Sequence, residues 1–282
     1  METIPIIDTH VHFWDPNKMK YDWLKSAGTL NQPYVLVDYH EATKGIAVDK
    51  IVFVECNCHP DMNEEEVKWV KGIAGKDERI QAIVAYIDLT DAINIDSNLE
   101  KLVAHDIVRG IRHNIQFNEP GFAVQPSFIE GVKKVFALDK HFELCITHDQ
   151  MGECIELANN LPEKPMILNH CGKPGIKAGE INDWKKNIKQ LSDFEHIQCK
   201  ISGLLTEADF RNWTSEDIIP YVDHVLECFG NKRIVFGGDW PVCTLAGGYH
   251  SWYTFVSGWT FGWSESEKLN FYYNNANQFY RL

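Results

Sequence analysis

The stretch IPIIDTHVH (residues 4–12) joins a short apolar run to an alternating pair of histidines. Side chains of an extended strand alternate between its two faces, so His10 and His12 point to the same side. An apolar run without a polar face is typical of a strand buried on both sides, as in a parallel sheet. The stretch therefore predicts a buried parallel strand that ends in two imidazoles on one face.

Seven further apolar runs follow, and stretches of helical character lie between most of them. The eight runs cover residues 4–7, 50–54, 81–86, 108–111, 142–146, 165–168, 197–201 and 233–236. Apolar residues at helical spacing predict helices over residues 64–73, 126–138, 215–229 and 264–282. Strands that alternate with helices form parallel βαβ units, so eight of them predict an α/β fold, the (β/α)8 or TIM barrel. An open dinucleotide-binding sheet is disfavoured, because no Gly-x-Gly-x-x-Gly motif follows the first run.

The length and composition of the chain fit one such barrel. It has 282 residues, of which 44% are hydrophobic and 24% are charged, and a TIM barrel takes about 250 residues. No Ser/Gly-rich linker or charge block divides the sequence, so we expect residues 1–282 to form a single domain.

The charge balance restricts the class of partner. Lys and Arg total 27 against 40 Asp and Glu, which gives a formal net charge of −13 at pH 7. Such a chain repels phosphate backbones and anionic lipid, so we expect a small-molecule partner and neither nucleic acid nor membrane. No export signal and no apolar run of about 20 residues is present, which predicts a cytoplasmic protein. A homo-oligomer is compatible with this composition.

Polar residues stand at the carboxyl end of almost every apolar run, where a barrel of this kind builds its active site. The set comprises His10, His12, Glu55, Arg112, His113, His148, His170, Lys200 and Asp239. One histidine in such a place is more often structural than functional. Two histidines on one strand, joined by two further histidines and an aspartate from separate strands, are much harder to explain by packing. We expect a cluster at one rim of the barrel, formed by His10, His12, His148, His170 and Asp239.

These residues lie in six sequence blocks through which the chain resembles the amidohydrolase superfamily. The blocks are IDTHVHFW (7–14), RGIRH (109–113), NHCGKP (169–174), CKISGL (199–204), FGGDWP (236–241) and NANQFY (275–280). More narrowly, they resemble the sugar-lactone branch, with the fuconolactonases, rhamnonolactonases and pyrone-dicarboxylate lactonase. The resemblance implies a TIM barrel whose rim activates water against a carbonyl group.

The resemblance also implies a role for each rim residue. Asp239 would be the base for the attacking water, and His170 would polarise the carbonyl or line the substrate. From its place near the carboxyl end of its strand, we expect Arg112 to bind a substrate hydroxyl or carboxylate, with an ion pair at the rim as the alternative. At most one divalent metal ion, most simply zinc, would be held by His10, His12, His148 and Asp239. A two-metal centre is not expected, because strand four offers Arg112 and His113 in place of a bridging Lys or Glu. Catalysis without metal stays open, and Glu55 is either an added ligand or an ion-paired carboxylate.

Aromatic residues crowd the loops after the first and last runs. Trp14 and Trp240 adjoin the expected cluster, and flat aromatic faces suit the C–H groups of a small polyhydroxylated ring. We expect Lys173 and His113 to complete the substrate-binding set, although a subunit interface would also explain many of the aromatic residues. The sequence thus predicts a hydrolase that opens a small sugar-derived lactone to its hydroxy acid. The alternatives are a metal-dependent decarboxylase or other carbonyl hydrolase, and a non-catalytic small-molecule binding barrel.

Overall fold

In the computed structural model, which describes residues 4–282, eight strands form one parallel sheet in chain order. They are β1 (Ile6–Val11), β2 (Val48–Val54), β3 (Ile80–Tyr86), β4 (Val108–Arg112), β5 (His141–Leu144), β6 (Met166–Leu168), β7 (Ile197–Ile201) and β8 (Ile234–Phe236). A parallel bridge between Val11 and Trp240 brings the end of β8 back to β1. The predicted TIM barrel is therefore confirmed. Residues 1–3, which are part of the segment judged above to lack an export signal, lie outside the described residues.

Helices follow the strands and cover the outside of the barrel. They are α1 (Leu36–Ala42), α2 (Asn63–Ala74), α3 (Ile95–Val103), α4 (Pro126–Ala137), α5 (Met151–Asn159), α6 (Asn182–Ser192), α7 (Ser215–Phe229), α8 (Gly248–Trp259), α9 (Glu265–Leu269) and α10 (Asn275–Tyr280). A proline at the first position starts α4, and capping boxes at Thr214 and Ser264 start α7 and α9. The predicted helix over residues 264–282 is divided by a π-helical turn over residues 270–274. Within residues 4–282, none of these helices combines the length and apolarity needed to cross a bilayer.

Strand β1 runs further than its apolar residues predict. It continues through Asp8, Thr9 and His10, all of which are fully buried. Buried polar groups are tolerated where each has a hydrogen-bond partner. Thr9, for example, donates its hydroxyl to the carbonyl oxygen of Phe236 on β8 at 2.6 Å. The polar end of the motif is therefore part of the barrel wall and not of a loop.

The carboxyl-terminal helix fills the end of the barrel opposite to the predicted rim. Side chains of Ala276 and Tyr280 pack against inward-facing apolar residues of five strands, namely Ile7, Val52, Val54, Ala82, Val84, Ile167 and Val235. Neighbouring residues of α10 lie close to the amino-terminal ends of β5, β6 and β7. The lumen is thus closed at its amino-terminal end and polar towards its carboxyl-terminal end.

Candidate active site at the carboxyl-terminal rim

Three imidazoles surround one carboxylate at the carboxyl-terminal rim. The Oδ1 atom of Asp239 lies 3.8 Å from Nε2 of His10, 3.7 Å from Nε2 of His12 and 3.9 Å from Nε2 of His170. The rings of His10 and His12 are 4.9 Å apart, as the alternation of a strand requires. All four side chains are buried. The structure therefore brings together four of the five residues that the sequence pattern placed at this rim.

The backbone at two of these residues is strained. Asp239 and His170 both have a φ of 52°, and Cys171 and Lys173 follow with 53° and 47°. This left-handed region costs roughly 1–3 kcal/mol for a residue that is not glycine, and such strain concentrates at functional sites. Backbone bonds hold the conformation at Asp239, whose N–H donates to the carbonyl oxygen of His10 at 2.8 Å. The closure of the barrel between β1 and β8 thus fixes the central carboxylate.

Gly203 makes room for two members of the cluster. Its φ is 64°, and a Cβ atom there would lie 2.5 Å from Nδ1 of His170 and 3.0 Å from Oδ2 of Asp239. Any side chain would therefore displace both groups. This glycine, in the turn after β7, permits the close approach of the imidazole and the carboxylate.

Asp8 is a functional support that the sequence analysis missed. Its Oδ1 atom accepts hydrogen bonds from the backbone N–H groups of His10 at 3.1 Å and Gly238 at 2.7 Å. Its Oδ2 atom accepts from the hydroxyls of Tyr39 at 2.9 Å and Tyr249 at 2.8 Å. One buried carboxylate therefore fixes the backbone on both sides of the His10–Asp239 contact. The available signal was an acidic residue directly after an apolar run.

Arg112 lies on the floor of the site and is paired with Glu55. Its Nε atom donates to Oε1 of Glu55 at 2.6 Å, and its Nη2 atom donates to the Glu55 carbonyl oxygen at 2.8 Å. The second carboxylate oxygen of Glu55 accepts from the N–H of Asn57 at 2.6 Å. Of the two alternatives for Glu55, the structure thus has the ion-paired carboxylate. The Nη1 atom of Arg112 lies 3.3 Å from Oδ1 of Asn169.

The electrostatic environment gives these groups defined charges near neutral pH. Burial disfavours the charged form of Asp239, but His170, His12 and Lys173 outweigh it and lower the pKa of its carboxyl. Burial lowers the pKa of His170 to about 3 and that of His10 well below its usual range. The site therefore combines an ionised Asp239 with neutral imidazoles at His10 and His170.

A second buried ion pair lies in the lumen beneath His10, and the sequence analysis missed its partner. The Nζ atom of Lys200 on β7 is 2.7 Å from Oε2 of Glu143 on β5, and both side chains are fully buried. The Glu143 carboxylate also accepts from the hydroxyl of Tyr280 at 2.8 Å and from Nδ2 of Asn169 at 2.9 Å. The presence of a glutamate inside the apolar run FELCI (residues 142–146) was the sequence signal that could have indicated Glu143.

The residues fit a zinc ion only in part. Ligand atoms of His10, His170 and Asp239 all lie within 4.8 Å of one another. A zinc-bound imidazole donates its other N–H to an acceptor, and His12 meets this condition with Nδ1 at 2.8 Å from the Val54 carbonyl oxygen. His10 does not, because its Nδ1 atom lies 3.3 Å from the Lys200 ammonium. The environment of His10 therefore does not fit a zinc ligand.

The position of His148 differs from the one predicted for a metal ligand. It follows the end of β5 by four residues and begins a 3₁₀ turn over residues 148–150 with a capping box at Thr147. This turn directs the ring away from the cluster. Its Nε2 atom lies 3.0 Å from Oε2 of Glu180, and its Nδ1 atom lies 3.0 Å from the Lys173 carbonyl oxygen. The structure therefore does not bring His148 to the other predicted ligands.

A cavity of about 400 Å³ opens above the cluster. Its floor includes His12, His170, Arg112 and Asp239. Its walls are largely apolar and aromatic, with Trp14, Trp23, Leu30, Phe117, Val242 and Leu245. Lys173 also lines it and donates to Oε1 of Gln116 at 2.7 Å. Trp14 and Lys173 thus lie where a substrate would contact them.

Two other predicted substrate residues point away from this cavity. Trp240 is 1% exposed and packs edge-on against Phe13, Tyr34 and Tyr39. The ring of His113 lies among Tyr86, Phe122 and Phe128, where Nδ1 accepts from the N–H of Leu89 at 3.1 Å. Successive side chains face opposite sides of the barrel wall. Since Arg112 and Asp239 face the site, His113 and Trp240 face the outer layer.

Comparison with known proteins gives the same architecture. The model of the amidohydrolase family matches residues 7–282. The L-fucono-1,5-lactonase of Burkholderia multivorans is 28% identical over 268 residues, which cover 90% of this chain and 88% of that protein. The L-rhamnono-gamma-lactonase of Scheffersomyces stipitis is 20% identical over 336 residues, which cover all of both. A crystal structure of an amidohydrolase from Burkholderia multivorans with bound zinc superimposes with a TM-score of 0.88, at 27% identity and 99% coverage of both chains.

Proposed function

Because this chain belongs to the amidohydrolase family, we propose that its rim hydrolyses a small sugar-derived lactone to the hydroxy acid. One observation carries the proposal, namely an ionised Asp239 that lies within 4 Å of three imidazoles on the floor of a cavity. Ester hydrolysis needs a base for water, donors for the oxyanion and a proton for the leaving alkoxide. The names of the two lactonase relatives support this class of substrate.

Asp239 is the proposed base. The Val54 carbonyl oxygen can only accept, so Nδ1 of His12 carries a proton, and in the uncharged ring the lone pair of Nε2 faces the site. The 3.7 Å between this lone pair and Oδ1 of Asp239 suits a water molecule that donates to both. Asp239 takes the proton as this water attacks the lactone carbonyl, and then returns it to the ring oxygen when the ester bond breaks.

Arg112 and His170 are the proposed groups at the carbonyl oxygen. Both line the cavity floor and both are held by partners beneath it. The Nη1 atom of Arg112 faces Asn169 and His10, while Nδ1 of His170 lies 2.9 Å from the hydroxyl of Ser202. Donors that are already oriented stabilise a developing oxyanion without the cost of reorganisation.

The cavity favours a neutral ring with one apolar side. Glu55 balances the charge of Arg112, so Lys173 is the cation left to face a substrate hydroxyl or ring oxygen. Trp14 and Trp23 meet edge to face at 5.2 Å and form one apolar wall. Aromatic walls of this kind pack against sugar C–H groups. We therefore propose a neutral aldonolactone as substrate.

We further propose that hydrolysis does not require zinc held by His10. The similar Burkholderia multivorans structure contains zinc, but the Lys200 ammonium takes the place of the acceptor that a zinc-bound His10 needs. A chelator should therefore leave the rate of lactone hydrolysis unchanged. Loss of activity with chelator, and recovery on addition of zinc, would show that this part of the proposal is wrong.

A screen of aldonolactones with a pH indicator tests the proposed reaction, since each turnover releases one acid. We expect acid release from at least one five- or six-membered sugar lactone, with saturation by substrate. The decarboxylase alternative predicts carbon dioxide release from an aromatic acid and no acid release from any lactone. The binding-barrel alternative predicts ligand binding without turnover. Either outcome would contradict the proposal.

A further inference from the structure

The ion pair of Lys200 and Glu143 has no part in the steps described above, yet it lies directly beneath the site. The Nζ atom of Lys200 has three contacts: the Thr9 carbonyl oxygen at 2.9 Å, Oε2 of Glu143 at 2.7 Å and Nδ1 of His10 at 3.3 Å. Both charged side chains are fully buried. Buried ion pairs contribute little net stability, so stability alone does not account for this pair.

We propose that Lys200 is a positioning residue that fixes the tautomer of His10, with the proton on Nε2. In that form the ring cannot serve as a zinc ligand through Nε2, and it directs its Nε2–H towards the carboxylate of Asp239, the proposed base. The second part of this statement rests on the proposed lactone hydrolysis. The first part concerns the resting protein alone.

The hydrogen-bond requirements of Lys200 decide the tautomer. An ammonium group has three N–H donors and no acceptor. In its fully buried place, two of these donors meet the Thr9 carbonyl oxygen and the Glu143 carboxylate. The third meets Nδ1 of His10, which must therefore present its lone pair. A neutral imidazole carries one proton, so that proton is on Nε2.

Arg112 offers a competing donor, but it does not need His10. Its Nη1 atom lies 3.4 Å from Nε2 of His10 and 3.3 Å from Oδ1 of Asn169. Arg112 also lines the open cavity, where water or substrate can accept its remaining N–H. The carboxylate of Asp239, 3.8 Å from Nε2 of His10, further favours a proton on that nitrogen. The buried lysine therefore determines the tautomer.

Glu143 supplies the counter-charge to the Lys200 ammonium. Its carboxylate accepts from Lys200, Tyr280 and Asn169, so both of its oxygens have donors. Although burial opposes the charged form, Lys200 and His141 outweigh it and lower the pKa of the Glu143 carboxyl. Because Tyr280 belongs to α10, the helix at the far end of the lumen also holds the pair in place.

Nitrogen-15 NMR of protein labelled at histidine tests the tautomer directly, without any substrate. We expect His10 to show an unprotonated Nδ1 and a protonated Nε2, with the peak assigned by comparison with His10→Gln. A proton on Nδ1 of His10 in the native protein would overturn the proposal. This result does not depend on whether any lactone is hydrolysed, so failure of the proposed function is detected separately.

The double variant K200M/E143Q tests the role of the pair, since it removes both charges and leaves neither buried charge unpaired. We expect the His10 tautomer to shift, kcat on the substrate found in the screen to fall at least ~10-fold, and KM to change much less. Isothermal titration should find tighter zinc binding than in the native protein. Lys50→Met is the control, because Lys50 bonds Asn277 of α10 far from His10. An unchanged tautomer with native kcat in the double variant would contradict the assignment.

Discussion

Asp239 is the residue on which the proposed chemistry depends. Asp239→Asn keeps the shape of the side chain but removes the group that takes a proton from water. We expect kcat to fall by ~10²-fold or more with a small change in KM, in line with general-base contributions. Steady-state kinetics on the lactone found in the screen measure both.

The same substitution also distinguishes a base from a carboxylate that only orients a metal-bound histidine. The second role predicts weak zinc binding and recovery of activity when zinc is added in excess. Asp139→Asn is the matched control, since Asp139 lies at the other end of the barrel and pairs with Arg281. A near-native rate in Asp239→Asn, or rescue by zinc, would mean that the base is another group.

At the scale of elements, the contact between β1 and β8 positions the cluster. Asp8 joins the two strands, because it accepts from the backbones of His10 and Gly238 as well as from two tyrosine hydroxyls. Between the same two strand ends, the N–H of His12 donates to the carbonyl oxygen of Trp240 at 2.8 Å. A change at Asp8 should therefore affect both folding and chemistry.

We expect Asp8→Asn to lower the free energy of unfolding by about 2–3 kcal/mol, because an amide cannot accept all four hydrogen bonds. The value of kcat should fall as well, since the backbone of His10 loses its support. Tyr39→Phe removes one of the four donors and should cost about 1 kcal/mol. Denaturant unfolding of both variants measures whether Asp8→Asn loses more stability than Tyr39→Phe, and steady-state kinetics measure the change in kcat. Equal stability of Asp8→Asn and the native protein would contradict this account.

At the scale of the whole molecule, buried titratable groups set the pH dependence of stability. Burial raises the pKa of Glu66 on α2 to about 8, and the nearby Glu55 adds to this. The folded state therefore holds a proton that the unfolded state releases near pH 4.5, so this contribution to stability is lost as pH rises to about 8. His170, with a pKa of about 3, acts oppositely and destabilises the fold as pH falls from about 6.5 to 3.

Glu66→Gln should remove the alkaline part of this dependence, because an amide has no proton to lose. We expect the variant to be more stable than the native protein at pH 8, by on the order of 4 kcal/mol, and little changed at pH 5. Urea unfolding from pH 5 to pH 9 measures the difference. Glu65→Gln, at the exposed neighbouring position, is the control. Parallel stability curves for Glu66→Gln and the native protein would contradict the assignment.

The sequence by itself determined the barrel and most of its rim. Each predicted strand matches an observed one to within a few residues, because buried parallel strands leave continuous apolar runs that can be recognised without knowledge of their neighbours. The same holds for His10, His12 and Asp239, since each lies within five residues of the end of such a run. These features depend on the local periodicity of apolar residues, which can be read directly from the sequence.

Only the tertiary structure decided which side chains face the site. His148 lies beyond the end of β5, and a turn of the loop carries it to Glu180. His113 and Trp240 adjoin site residues in sequence, yet they face the outer layer because neighbouring side chains alternate. The Lys200–Glu143 pair joins residues 57 positions apart. Such contacts depend on how the strands are arranged around the lumen, which no local pattern specifies.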